Sequence, residues 1–247
     1  MRSNSQISPY QIVEVFQNGT TRMRSWFCGK EDEYLKEELI RSTQSLHHYI
    51  HKYFNITNRL SAILNTQMNQ NNLPAVSAND SESIEQNCVR VRQVMSQILG
   101  LCEREDKRVQ KSVEPALYEK IAFSVGSLEE KATVLKDLQD EKMGVLGNVF
   151  CPVVTVQLAR SNLTNVMPPV ELLKSQPVSS FVLLGDLEQS SKTITKLLCG
   201  SQNHQKNLDE GIQLMQDLLS ILKPPCDSYN DILCEVEAYV KIISKKM

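Results

Sequence analysis

Helix breakers are scarce in this chain: 247 residues hold nine glycines and nine prolines. Little of it can therefore be rich in turns. Aromatic residues reach only 6%, which suits helices packed side by side better than a thick core. Charge of one sign is not concentrated anywhere. The 27 Lys and Arg residues face 29 Asp and Glu, for a net charge of −2. With no basic block or stripe there is no source of attraction to nucleic acid or to an anionic membrane, and neither partner is expected. No apolar run approaches the roughly 20 residues that span a bilayer. The amino-terminal MRSNSQISPYQIVEVF also lacks the unbroken apolar core of a signal peptide. No membrane insertion and a cytoplasmic or nuclear location are expected.

Cysteine is present without the patterns that give it chemistry. Cys28, Cys88, Cys102, Cys151, Cys199, Cys226 and Cys234 are odd in number and contain no C-x-x-C pair, so neither a disulfide framework nor a zinc module is suggested. Reduced thiols used as small apolar side chains fit better. Phosphate-cradling loops are absent, as are the G-x-S-x-G elbow and the Glu-x-x-His signature of helical di-iron sites. Paired carboxylates such as Glu129-Glu130 fit the first turn of a helix, where they offset the dipole. His47, His48 and His51 are the exception, since positions 47 and 51 lie one helical turn apart. No acid sits at ligand spacing to complete a set, however; Asp32 and Glu33 are several turns away. These features lead to a chain that is not an enzyme, with no catalytic residues, no metal, no cofactor and no small-molecule substrate.

What the sequence does contain is helical periodicity. From Glu31 to Gln70 apolar residues recur every seven positions, with Leu39, Leu46, Tyr53 and Leu60 in one column and Leu35, Tyr49, Ile56 and Ile63 in the next. Four heptads of this pattern read as a coiled-coil seam. A helix of 40 residues spans about 60 Å, whereas a compact chain of this length has a radius of gyration of about 18 Å, so an elongated molecule is expected. Asn55, Thr57 and Asn58 are mediocre helix formers that invite a kink. A second seam, Ile84, Cys88, Val91, Met95, Ile98 and Cys102, alternates spacings of four and three. Asn79 with Glu82 is placed to cap it, and the mixed-sign EREDKRVQK beyond it reads as solvent-facing. Further helices are expected from Ser8-Pro9, carrying Ile12, Phe16, Met23 and Trp26, and from Ser127, carrying Leu128, Leu135, Leu138, Val145 and Val149.

Composition changes at Phe150. Residues 151–185 carry four of the nine prolines and many β-branched residues, and read as an irregular, partly extended connector pinned by Val166, Val170, Leu172 and Phe181. VVTVQLA is a candidate strand with no partner nearby. Helices resume at Asp186 with Leu187, Ile194, Leu197 and Leu198. Pro224-Pro225 is expected to end one helix sharply and Ser228 to start the last, giving an antiparallel hairpin.

The expected fold is all-α: an elongated helical bundle or coiled coil with one long amino-terminal helix. It divides into a coiled-coil region (1–150), the connector (151–185) and a carboxy-terminal helical hairpin (186–247). The helices resemble in type the small coiled-coil subunits of cytoskeletal, spindle and vesicle-tethering complexes. That resemblance implies a subunit of a hetero-oligomeric assembly whose partners are other helical proteins, with Leu39, Leu46, Tyr53 and Leu60 as partner-contact candidates. The alternative is a self-contained bundle acting as a regulatory adaptor, displaying a linear peptide from 151–185 centred on Met167-Pro168-Pro169.

Overall fold

In a computed structural model of the chain, the structure describes residues 28–68, 73–112, 115, 118–119, 155–160, 162–176 and 204–244. Expectations for the helices starting at Ser8 and Ser127, for Phe181 and for Leu187 to Leu198 lie outside these residues. The fold is all-α, and no strand occurs among the described residues. Four helices are labelled in chain order: α1 (Cys28–Gln67), α2 (Ile84–Ser112), the short α3 (Val170–Lys174) and α4 (His204–Ser244). A single 3-10 turn, Thr164–Val166, precedes α3.

α1 runs 40 residues without interruption. Of the residues expected to kink it, Thr57 and Asn58 are instead used for bonding, and Asn55 is exposed. Its inner stripe is Leu39, Thr43, Leu46, Ile50, Tyr53, Thr57, Leu60 and Leu64, all essentially inaccessible to solvent, at alternating spacings of four and three. Leu39, Leu46, Tyr53 and Leu60 thus lie where the sequence put them, on the buried face, but it is the chain's own core that covers them. The neighbouring column needs correction. Ile56 is buried, but Leu35, Tyr49 and Ile63 are only half-buried against the edge of the core, and the fully buried second column contains two threonines. Each threonine satisfies its hydroxyl by donating to the carbonyl one turn back: Thr43 to Leu39 and Thr57 to Tyr53, both at 2.7 Å. A polar side chain that closes its own hydrogen bond can occupy an apolar seam.

α4 lies beside α1 and the two run parallel. Moving along α1, the Tyr49 carbonyl meets Cys226 Sγ (3.7 Å), Lys52 meets Asp227 (2.6 Å), Thr57 accepts from the Tyr229 hydroxyl (3.4 Å) and Arg59 pairs with Glu237 (2.6 Å). The partner's number rises with that of α1 throughout. The carboxy-terminal hairpin is therefore corrected to one helix of 41 residues with Pro224 and Pro225 inside it. Two prolines remove two N–H donors and are costly in a helix interior, about 3 kcal/mol each. They are tolerated here because Pro224 is exposed and Pro225 half-buried. The carbonyls that lose their donors belong to residue 220, which is exposed, and residue 221, which is half-buried. The inner stripe passes straight through the break, since Leu222, Cys226 and Tyr229 are fully buried.

The connector is corrected too. Residues 155–160 and 162–163 are helical rather than irregular or extended, and the 3-10 turn and α3 follow. Val166 and Val170 are buried as expected, while Leu172 is 59% exposed. Pro168 is buried and Met167 and Pro169 are half-buried, so this tripeptide is packed rather than displayed. The Tyr53 hydroxyl donates to the Val166 carbonyl (3.4 Å), tying the turn to the α1 seam. α2 keeps all six predicted seam residues buried and extends the register to Val109. Its cap is Ser83 with Gln86, a reciprocal box with the Gln86 N–H on Ser83 Oγ (3.1 Å) and the Ser83 N–H on Gln86 Oε1 (2.9 Å). Asn79 and Glu82 bond one turn earlier.

Two neighbouring hydroxyls in α1 should respond in opposite directions to removal. Ser61 Oγ is buried and has no hydrogen-bond partner, so Ser61→Ala should raise stability by about 1 kcal/mol in urea unfolding. Thr57→Val strands the Tyr229 hydroxyl and should lower stability by a similar amount.

Candidate functional site

The residues between α1 and α2 do not loop freely. Asn58 and Asn65 on α1 each clasp one residue of this segment by both backbone groups. Asn65 Nδ2 donates to the Leu73 carbonyl (3.0 Å) and its Oδ1 accepts the Leu73 N–H (3.1 Å); Asn58 does the same with Val76, at 2.7 and 2.8 Å. The spacings match. Seven helical residues rise about 10.5 Å, and three extended residues cover about 10 Å. Side-chain amides thus stand in for a neighbouring strand, and the segment runs antiparallel back along α1.

That path carries Asp80 to the histidines. One ligand atom each of His47, His51 and Asp80 lies within 4.8 Å of the others. The His47 and His51 Nε2 atoms are 3.2 Å apart, with ring centroids at 4.3 Å. Positions i and i+4 place both imidazoles on one face. Asp80 sits in a built turn: the Ser81 N–H bonds Asn79 Oδ1 (3.0 Å), and the buried Asn87 accepts the Asn79 N–H (2.9 Å) while returning Nδ2 to the Asn79 carbonyl (3.0 Å). Partial burial, reinforced by the neighbouring His47, lowers the His51 pKa from its usual 6.5, and Asp80 opposes the shift. Both lowering effects favour the neutral imidazole, the form that offers a lone pair. His48 is exposed and stacks edge-on against Tyr49. The sequence-level objection that no acid completes the set is overturned, because Asp80 arrives through the fold. Its only trace in the sequence is Asn58 and Asn65 one heptad apart, opposite an extended segment.

A second polar cluster lies at the end of α2. Glu105 and Asp106 fall inside the segment read as solvent-facing, yet both are buried. Glu105 occupies the seam position between Cys102 and Val109, where extending the register would have located it, and Asp106 lies one residue beyond. Asp106 receives the Arg160 guanidinium and, at 2.8 Å, the Tyr118 hydroxyl, which in turn accepts from Gln110 Nε2 (2.6 Å). Arg108 covers Glu105 at 2.8 Å. Each group has a partner, and the Asp106–Arg160 pair holds residues 155–160 against α2. Burial pushes the thiols of Cys88, Cys102 and Cys226 up to about 12, which leaves them inert as nucleophiles.

Arg160→Ala should cost about 3 kcal/mol in chemical unfolding, because it strands a buried carboxylate. Brief alkylation of the native protein followed by peptide mapping should label the exposed Cys234 and spare Cys88, Cys102 and Cys226.

No curated protein and no solved structure matches the chain. One family model does, running from residue 35 to residue 245 and so across α1, α2, the turn, α3 and α4. The chain belongs to the family described as protein of unknown function (DUF4533).

Proposed function

We propose that this chain is a non-enzymatic helical interaction protein: an elongated, self-contained bundle that engages other helical proteins as a folded unit. The observation that carries the reading is the fate of the α1 seam. Leu39, Leu46, Tyr53 and Leu60 are each no more than 1% exposed within a single chain, so no partner helix is required to cover them. Elongation is supported by two parallel helices of 40 and 41 residues, each about 60 Å long. Partner contacts then fall to the outer faces of the helices and to the surface around the exposed Leu172, rather than to the packed Met167-Pro168-Pro169. A cytoskeletal, spindle or tethering setting rests on likeness of helical type. The competing reading, a subunit whose α1 seam is completed only by a partner, treats the same four residues as an interface.

Substitution in the seam separates the two readings. In a self-contained bundle, Leu46→Asp and Tyr53→Asp each place an unpaired carboxylate in the core, at a cost of several kcal/mol. The isolated protein should then lose its cooperative thermal transition, whereas Leu172→Asp should leave that transition in place and weaken capture of partners in cross-linking from cell extract. An isolated wild-type chain that is unfolded or insoluble, or a well-folded Leu46→Asp variant that has merely lost a partner, would return the seam to an intermolecular role. Small-angle scattering from the wild-type monomer should give a radius of gyration well above the roughly 18 Å of a compact chain of this length.

A further inference from the structure

We propose that His47, His51 and Asp80 form a binding site for one divalent first-row transition metal ion of the zinc type, joining α1 to the segment that leads into α2. The distances carry the proposal. Two imidazole nitrogens held about 2.0–2.1 Å from a tetrahedral ion lie about 3.3–3.4 Å apart, and the His47 and His51 Nε2 atoms are already at 3.2 Å. A carboxylate oxygen of Asp80 lies within 4.8 Å of a ring nitrogen of each histidine and is placed to supply the third ligand. Two nitrogens with one carboxylate oxygen suit zinc and its neighbours, and exclude calcium and magnesium, which take oxygen alone.

The site is built before any ion arrives. α1 is continuous through both histidines, so their rings are set by the i, i+4 spacing. Asp80 is located by the Asn65–Leu73 and Asn58–Val76 clasps on one side and by the Asn79–Asn87 turn on the other. Without an ion the two Nε2 atoms share one hydrogen bond, one ring donating to the other. Binding through both Nε2 atoms requires each coordinating ring to carry its proton on Nδ1. His51 and Asp80 are exposed and His47 half-buried, so the fourth position faces water. Metal bound there bridges residues 33 positions apart at its widest and fastens the α1–α2 connection without adding to the core. The reading is independent of the interaction role proposed above, since it concerns a face away from the seam.

The test is a calorimetric titration of Zn2+ into the full chain after chelator treatment, with thiols kept reduced. The expected result is one equivalent whose affinity falls at least about tenfold in each of His47→Ala, His51→Ala and Asp80→Asn, and is unchanged in His48→Ala. Circular dichroism of the variants, all altered at surface positions, should match the wild type and so exclude misfolding as the cause. No uptake by the wild type would reduce the cluster to two hydrogen-bonded surface histidines beside an acid, and would overturn the assignment. Uptake unaffected by the two histidine changes would place the ion elsewhere in the chain, with the same consequence. Loss on changing the histidines with full affinity in Asp80→Asn would overturn the three-ligand site and its link between the elements.

Discussion

The parallel pairing of α1 with α4 is the contact on which the remaining elements depend. Two long helices bury one stripe each against the other, and the polar cross-links Lys52–Asp227 and Arg59–Glu237 set which turn faces which. These pairs are partly exposed and add little stability by themselves. Their value is in register, because a heptad seam shifted by one repeat would bury nearly as much apolar surface. Tyr53 and Tyr229 sit at the centre of the interface with ring centroids 6.1 Å apart. Burial raises the pKa of both phenols, so both stay protonated, and each donates to a defined acceptor, the Val166 carbonyl and Thr57. One aromatic pair thus joins α1, α4 and the turn before α3.

Parallel pairing imposes a topological demand. A short turn cannot join the end of one helix to the start of its parallel neighbour, so the chain between α1 and α4 must travel back along the bundle. The first stage of that return is visible in the segment from Leu73 to Asn79, led along α1 by two asparagines acting as substitute strand edges. Asparagine is a poor helix former because it competes for backbone hydrogen bonds. Here that competition is turned outward, toward another segment's backbone. The return path also brings Asp80 to His47 and His51, so the candidate metal site is a consequence of the topology that the long helices require.

The interior tolerates polar groups wherever they close a bond. Thr43 and Thr57 bond backward within the helix, Asn87 bonds three carbonyls at the start of α2, and Asp106 is met by Arg160 and Tyr118. Ser61 is the exception among the described buried side chains. Such groups blur the hydrophobic pattern while leaving the packing intact. This is why the second column of α1 reads one position early in the sequence, and why the end of α2 reads as solvated.

The sequence by itself determined the helical class, the apolar column Leu39, Leu46, Tyr53 and Leu60 of α1 and the inner face of α2. Those properties follow from the spacing of apolar residues over a few turns, which is local information. The tertiary structure alone decided that α1 pairs with α4, that the pair is parallel, and that Pro224-Pro225 lies within a helix rather than at its end. The proline pair shows the reason. Its local signal is a strong stop, but Leu222, Cys226 and Tyr229 are buried on the face turned to the core, and burial of that stripe outweighs two missing hydrogen bonds. Asp80 and Asp106 are the same case in chemical form. A carboxylate's partner is chosen by whichever segment the fold carries past it, and no spacing along the chain records that choice.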